Sequence, residues 1–341
     1  MAHEHLSRLT LTAVGDLLAV VPYLFGFHPG DSLVIVGLRA NTIAVAGRVD
    51  LPHRDEIPEW VDGAGPQQLT LLRNVGAIAA IIIGYGPATH VTPIIDALTS
   101  QVRDAGVTVL DALRVTDGRY YSYLCQEPDC CPVDGVPFDA VGSVAAVWAI
   151  VAGQSALPDR AALVASLAPT TGVARDAVTA ATRRAQKRRI TAFTAGGRAA
   201  VIRAGQKAVR ETFARYAGDS VLTDDEVAWL SVLLVDTTVR DAAWLATDTD
   251  PSHMALWTDL TRRVEPALAA PPATLLALTA WRGGLGALAC VALDRALAAD
   301  PTYFLAQLLD RALRDGLPPT VLDGWPATDN PTPRPPGPGQ K

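Results

Sequence analysis

The chain has 341 residues, with 29 Lys+Arg against 35 Asp+Glu and a net charge of −6. Hydrophobic residues make up 49% and charged ones 19%, which excludes bulk disorder, and the mildly acidic total argues against a wholesale nucleic-acid binder. Four cysteines are too few for a disulfide scaffold, and the length suggests two domains.

The first 20 residues do not read as a signal peptide. Arg8 is their only Lys or Arg, and Asp16 interrupts the apolar run. Residues 140–158 carry no charge over 19 positions, about the length of a bilayer span. They are rich in Ala, Gly and Ser and are flanked by Asp139 and Asp159, so a buried helix is expected, not a membrane span. A reducing cytoplasm is the expected compartment, with thiols free or metal-bound.

In chain order, 12–26 is helical in pattern, with a kink expected at Pro22 and a stop at Gly26. Residues 32–38 and 42–49 read as strands of a hairpin around Arg39, Ala40 and Asn41. A helix is expected over 67–75 and a fully buried strand over 77–83. Thr89 is expected to cap a helix reaching Asp104, with Val91, Ile94, Ile95, Leu98 and Val102 on its buried face. A second hairpin, 107–114 with 119–124, turns at Thr116, Asp117 and Gly118. The pattern predicts an α/β domain with a mixed sheet over 8–139.

Strand signals fade after 140, and short helical patterns broken by Gly and Pro predict an all-helical domain over 140–320. Residues 272–313 hold a helical hairpin that resembles a tetratricopeptide unit in the placing of Ala289, Ala296 and Pro301. The Pro-rich tail, 321–341, reads as disordered.

Several segments together carry a resemblance. They are DLL at 16–18, PYLFGFHP at 22–29, DSLV at 31–34, YSYLC at 121–125, CCP at 130–132, VRDAAW at 239–244 and LWTD at 256–259. In combination they resemble the actinobacterial domain of unknown function 4192 family, up to about residue 317. The resemblance implies an intact two-part protein of actinobacterial type. It implies no established activity, so no catalytic residue is carried over.

Cys125, Cys130 and Cys131 fall within seven residues. Thiolates are good zinc ligands, and a fourth ligand would come from Asp129, His28, His90 or water. The C-x2-C spacing is absent. Two other readings stand beside metal: a redox or nucleophilic thiol, and small thiols stiffening a loop. Cys290, among Leu288, Ala289 and Val291, reads as core.

Gly84, Gly86, Thr89 and His90 lie where a buried strand gives way to a helix, and ligands collect at such strand ends. The competing reading is an ordinary turn. His28, between Phe27 and Pro29, reads as a packed turn histidine or a ligand.

Between 175 and 210 there are ten basic residues and one acid, Asp176, which leaves −15 for the rest of the chain. Arg183, Arg184, Lys187 and Arg188 form i,i+4 pairs. This surface suits phosphates or an acidic partner, or it docks on the acidic remainder. Only Phe193 lies inside the segment, so base stacking has no support and nucleic acid is the weakest reading. Arg240 and Asp241 with Trp244, and Asp259, Arg262 and Arg263 after Trp257, read as ion pairs packed on buried indoles.

Three functions follow. The favoured one is a ligand- or protein-binding regulatory module, with another protein as partner and no membrane. The second is a metal- or thiol-dependent enzyme using the cysteine loop. The third is an anion or nucleic-acid binder using the basic segment.

Overall fold

The computed structural model describes Leu11 and residues 13–323 apart from Asp219, with only the backbone of 64–66. The architecture is a six-stranded mixed sheet with helices, followed by a mostly helical part. Helix α1 (Val14–Phe25) opens with the Asp16 carboxylate accepting the Ala13 amide, runs through Pro22, and stops at Gly26 in the left-handed region.

Strands β1 (Ser32–Arg39) and β2 (Thr42–Asp50) pair antiparallel across a two-residue turn. Both turn residues, Ala40 and Asn41, have positive φ, which matches the right-handed twist of the strands. Helix α2 (Ile57–Asn74) begins ten residues before the expected start at 67. Pro58, Gly63, Gly65 and Pro66 hide its first half in the sequence, although Pro58 sits in the first turn, where no amide is needed.

Strand β3 (Ala79–Tyr85) starts and ends two residues later than expected. It pairs antiparallel with β1 and parallel with β4 (Thr108–Thr116) through helix α3 (Ala88–Asp104). That β3–α3–β4 crossover makes the sheet mixed. The five expected apolar residues of α3 are all buried. Strands β5 (Arg119–Ser122) and β6 (Val136–Pro137) complete the order β2-β1-β3-β4-β5-β6.

Helix α4 (Val144–Val151) is the only helix inside the uncharged 140–158 stretch. The expectation of a buried helix holds on one side only. Ala145, Ala146 and Ala149 are buried, while Val144, Val147, Ile150 and Val151 are exposed. No helix among the described residues is long and apolar enough to cross a membrane.

Helix α5 (Arg160–Ser166) leads to α6 (Gly172–Ala217), which breaks at Gly196 and Gly197. There follow α7 (Asp224–Leu233), α8 (Thr237–Ala246), α9 (Pro251–Arg263), α10 (Ala270–Arg282), α11 (Gly286–Ala299) and α12 (Phe304–Arg314). Ser143, Asp159, Thr223, Asp236 and Asp250 cap α4, α5, α7, α8 and α9 with their side chains. The α10–α11 hairpin turns at Gly283 and Gly284 as expected.

Trp244 and Trp257 are fully buried, and the Trp257 indole N–H donates to Thr247 Oγ1 at 3.1 Å. One apolar cluster takes in Val34, Ile83 and Leu113 of the sheet together with Trp244, Trp257 and Leu276. A second, of Leu33, Ile35, Ile82, Ile94 and Leu98, fills the opposite face of the sheet against α2 and α3. Of the Pro-rich tail expected from 321, residues 324–341 lie outside the described residues; Pro319–Leu322 form a 3-10 turn with Leu322 buried.

Candidate metal centre

The cysteines sit on the excursion between β5 and β6, and the β4–β5 hairpin aims that loop. Asp111, in mid-β4, accepts from Ser122 Oγ at 2.7 Å and from the Ala112 amide at 2.8 Å. Ser122 Oγ in turn accepts from the amides of Leu124 (3.1 Å) and Cys125 (3.0 Å). These bonds bend the chain off the sheet just before the first thiol. Tyr123 Oη meets Thr92 Oγ1 of α3 at 2.7 Å, which anchors the loop base to the first turns of that helix.

The loop then closes on itself. The Glu127 carbonyl accepts from the amides of Cys130 (3.1 Å) and Cys131 (2.7 Å), which returns both thiols towards Cys125. Gly135 ends the excursion with φ 75°, where a Cβ would lie 2.6 Å from the Tyr121 ring. Arg119 Nη1 donates to the Gly135 carbonyl at 2.8 Å.

The three Sγ atoms lie within 4.8 Å of one another, and those of Cys130 and Cys131 are 3.8 Å apart. All three are free thiols; Cys130 is exposed and the other two are half-buried. A hydrogen bond from Cys131 and a backbone bond from Glu127 hold the Cys125 thiol below its ordinary range. Burial, helped by the neighbouring thiols, pushes Cys131 up to about 12. Cys125 therefore gives up its proton more readily than Cys131, and both protons leave when the sulfurs act as thiolates. A bound cation would displace those protons, because it takes thiolates as ligands.

The donor set fits a thiophilic ion. Zinc–thiolate bonds of about 2.3 Å in a tetrahedron put sulfurs about 3.8 Å apart. Among the described residues, no His, Asp or Glu ligand atom joins the three sulfurs. The candidates Asp129, His28 and His90 are therefore not brought into the group. His90 Nε2 lies 2.6 Å from the Pro52 carbonyl, and the His28 amide donates to Leu157 O.

The strand-end residues have local work. Gly84 lets α3 close on β3, since a Cβ there would lie 2.2 Å from Val91 Cγ1. The Gly86 amide donates to Val115 O at 3.0 Å. Thr89 does not cap α3: Pro87 stands at the N-cap, and Thr89 Oγ1 accepts from Arg54 Nη2 at 2.7 Å. Pro87 holds the extended backbone that a cap position needs.

The basic segment lies along α6 and is partly neutralised from within the chain. Arg184 pairs with Asp225 at 2.7 Å, Arg198 with Asp236 at 2.8 Å, and Arg175 with Glu265. The Arg188 guanidinium stacks 4.0 Å from the Trp229 ring centre. Arg183 and Lys187 are exposed on the same helix. Arg240 pairs with Asp241, and Arg263 bridges Asp259 and Asp224 at 2.7 and 2.8 Å. Cys290, expected in the core, is only half-buried and lines a cleft beside β2.

Asp111, Ser122, Tyr123 and Thr92 position the thiols; Ser122 and Tyr123 stand in the YSYLC segment, but the sequence assigns none of the four a positioning role. One signal was present: Asp111 is an acid in the middle of the otherwise apolar run VLDAL. No curated protein and no solved structure matches the chain. A family model described as "domain of unknown function (DUF4192)" matches residues 15–320, nearly the whole described chain, and the chain belongs to that family.

Proposed function

We propose that the chain is a binding module built around a metal centre, in which Cys125, Cys130 and Cys131 hold one zinc-class ion in a reducing cytoplasm. The observation that supports this reading is the convergence of three free Sγ atoms within 4.8 Å on a loop closed by the Glu127 carbonyl. Three protein ligands leave one coordination position, and Cys130 puts that position at the surface. A small exogenous ligand or a partner's side chain completes the tetrahedron. A reducing compartment belongs to the same reading, since it keeps these thiols available as ligands.

The test is metal analysis of untagged protein. About one zinc per chain is expected, with loss in Cys130→Ser and Cys131→Ser variants that keep their fold. A wild-type chain that carries no metal and takes up no zinc in a chelator competition overturns the reading. Rapid alkylation of such a metal-free chain would turn the argument to thiol chemistry, for which the lowered Cys125 is the supporting observation.

A further inference from the structure

A cleft of about 750 Å³ runs along β2, far along the sheet order from the thiols. Its volume lies in the range of roughly 300–1,000 Å³ typical of ligand sites. Every residue from Ile43 to Asp50 lines it. Side chains alternate between the faces of a sheet, so a consecutive run of lining residues means that the free edge of the strand forms the floor. The walls agree. Phe27 and Trp281 belong to the apolar layer on one face of the sheet, and Leu71 to the layer on the other. One end is closed by the turn after α12, which packs on α2: a Cβ on Gly316 would lie 2.2 Å from Leu71 Cδ1, and Asn74 Nδ2 donates to Asp315 O.

The hydrogen-bonding phase of that edge can be read. The Leu51 amide donates to Asp31 O at 2.9 Å, so 31 and 51 form a hydrogen-bonded pair. By alternation, 33 with 49 and 35 with 47 do the same. Ala46, Arg48 and Asp50 occupy the other phase, and their N–H and C=O groups point away from β1, into the cleft. β2 is the last strand of the sheet, so among the described residues no strand takes up those groups.

Charge adds a second observation. The Arg48 side chain is only 10% exposed and lines the cleft. It pairs with Asp50 and lies over the Phe27 ring, yet its Nε is buried with no hydrogen-bond partner. Arg160, Arg282 and Arg314 also line the cleft; Arg160 pairs with Asp294 and Arg314 with Asp310, so the excess positive charge rests on Arg282. A buried guanidinium N–H without an acceptor is costly; a ligand reaches this one only by displacing part of its cover, and a carboxylate is the acceptor that matches it best.

We propose that this cleft binds an extended peptide segment with acidic side chains, which adds as a strand to the free edge of β2 and sets a carboxylate against Arg48. Main-chain bonds to Ala46 and Arg48 supply affinity, and the alternation of the added strand supplies specificity. Side chains on the Phe27 side meet Arg48. Those on the other side meet Leu71 and Val75. This site is separate from the thiol loop, and the two proposals stand or fall independently.

The probe is fluorescein-labelled Val-Glu-Val-Glu-Val with capped ends, titrated by anisotropy into the full chain. Saturable binding is expected. Arg48→Gln should weaken it about tenfold or more. Ala46→Pro removes only an outward amide and should weaken it comparably. A Gln-for-Glu peptide and a backbone N-methylated peptide should both lose binding, and Cys130→Ser should leave it unchanged. Circular dichroism checks that each variant is folded; should Ala46→Pro unfold, Arg48→Gln and the N-methylated peptide decide. The proposal is overturned by the absence of saturable binding, or by folded variants that bind like wild type. It is also overturned if decanoate or the N-methylated peptide competes as well as the peptide, since the cleft would then be a small-anion site that does not use the strand edge.

Discussion

Ser122 Oγ stands between Asp111, to which it donates at 2.7 Å, and the Cys125 amide, from which it accepts at 3.0 Å. A carboxylate in mid-strand therefore fixes the direction of a hydroxyl, and the hydroxyl fixes where the first thiol starts. The hydrogen bonds of Ser122 Oγ run to a carboxylate and to backbone amides. Ser122 positions the loop that carries the sulfurs.

Ser122→Ala removes the acceptor for two amides and leaves Asp111 without its side-chain donor. Each hydrogen bond is worth about 1 kcal/mol net, so a loss of about 1–3 kcal/mol of stability is expected. Zinc affinity should fall about 10–100-fold, as for supporting residues of other metal centres. Chelator competition measures this, and Ser122→Thr, which keeps the hydroxyl, should recover most of it. Unchanged zinc affinity in a folded Ser122→Ala chain would remove Ser122 from the centre.

The thiols should label in order. Cys125 is held below the ordinary thiol range by Cys131 and a Glu127 backbone bond, whereas burial pushes Cys131 up to about 12. A lowered value keeps thiolate present as pH falls, and a raised one keeps the thiol protonated as pH rises. Iodoacetamide at near-neutral pH, followed by peptide mapping, should label Cys125 well before Cys131. Zinc at saturation should protect all three. Equal rates at Cys125 and Cys131 in the metal-free chain would contradict this arrangement.

Gly84 tests the strand-end crevice. If its role is close packing, Gly84→Ala drives a methyl into Val91 and Ile95 of α3. Overpacking of this kind costs about 1–3 kcal/mol. Urea melts should show that loss, and Val91→Ala in the same chain should relieve part of it. A Gly84→Ala chain as stable as wild type would reopen the glycine as a place where a ligand approaches the backbone.

Local patterns in the sequence carried much of this fold. The β-branched runs around Ala40 and Asn41 gave the first hairpin, and the apolar spacing from Val91 to Val102 gave α3. Helix α6 was less legible. Its Ala- and Arg-rich text reads as several short helices, but the structure forms two long helical runs that meet at a break at Gly196 and Gly197. The cysteine cluster was visible because its members are close in sequence. Its supports were not, because Asp111 meets Ser122 only through the register of β4 on β5. The cleft was hidden for the same reason: nothing local makes β2, not β1, the edge of the sheet. The basic segment showed its excess charge in the sequence, but its partners Asp225, Asp236 and Glu265 lie on other helices or loops, and only packing selects them.

Asp236 is the partner that ties the second half of α6 to α8. It caps α8 through the Thr238 amide at 3.0 Å and takes two hydrogen bonds from Arg198, directly after the glycine break. Burial alone would push its carboxyl up, but the bonds from Arg198 and Thr238 outweigh that and hold it below the usual carboxylate range. A lowered native value means that the stabilisation is present above the unfolded value, about 3.9, and is lost as pH falls through the native one. Asp236→Ala should cost about 1–2 kcal/mol at neutral pH, mostly the cap, because the Arg198 side chain is 59% exposed and its pairing is screened. Asp236→Asn keeps an acceptor for Thr238 without the charge and should fall between the two. Urea midpoints measured at about pH 7 and about pH 3 separate these terms. The gap between wild type and Asp236→Ala should narrow in acid, because the wild-type carboxylate begins to protonate there. A gap of equal size at both pH values would mean that packing, not the ionised carboxylate, holds α6 to α8.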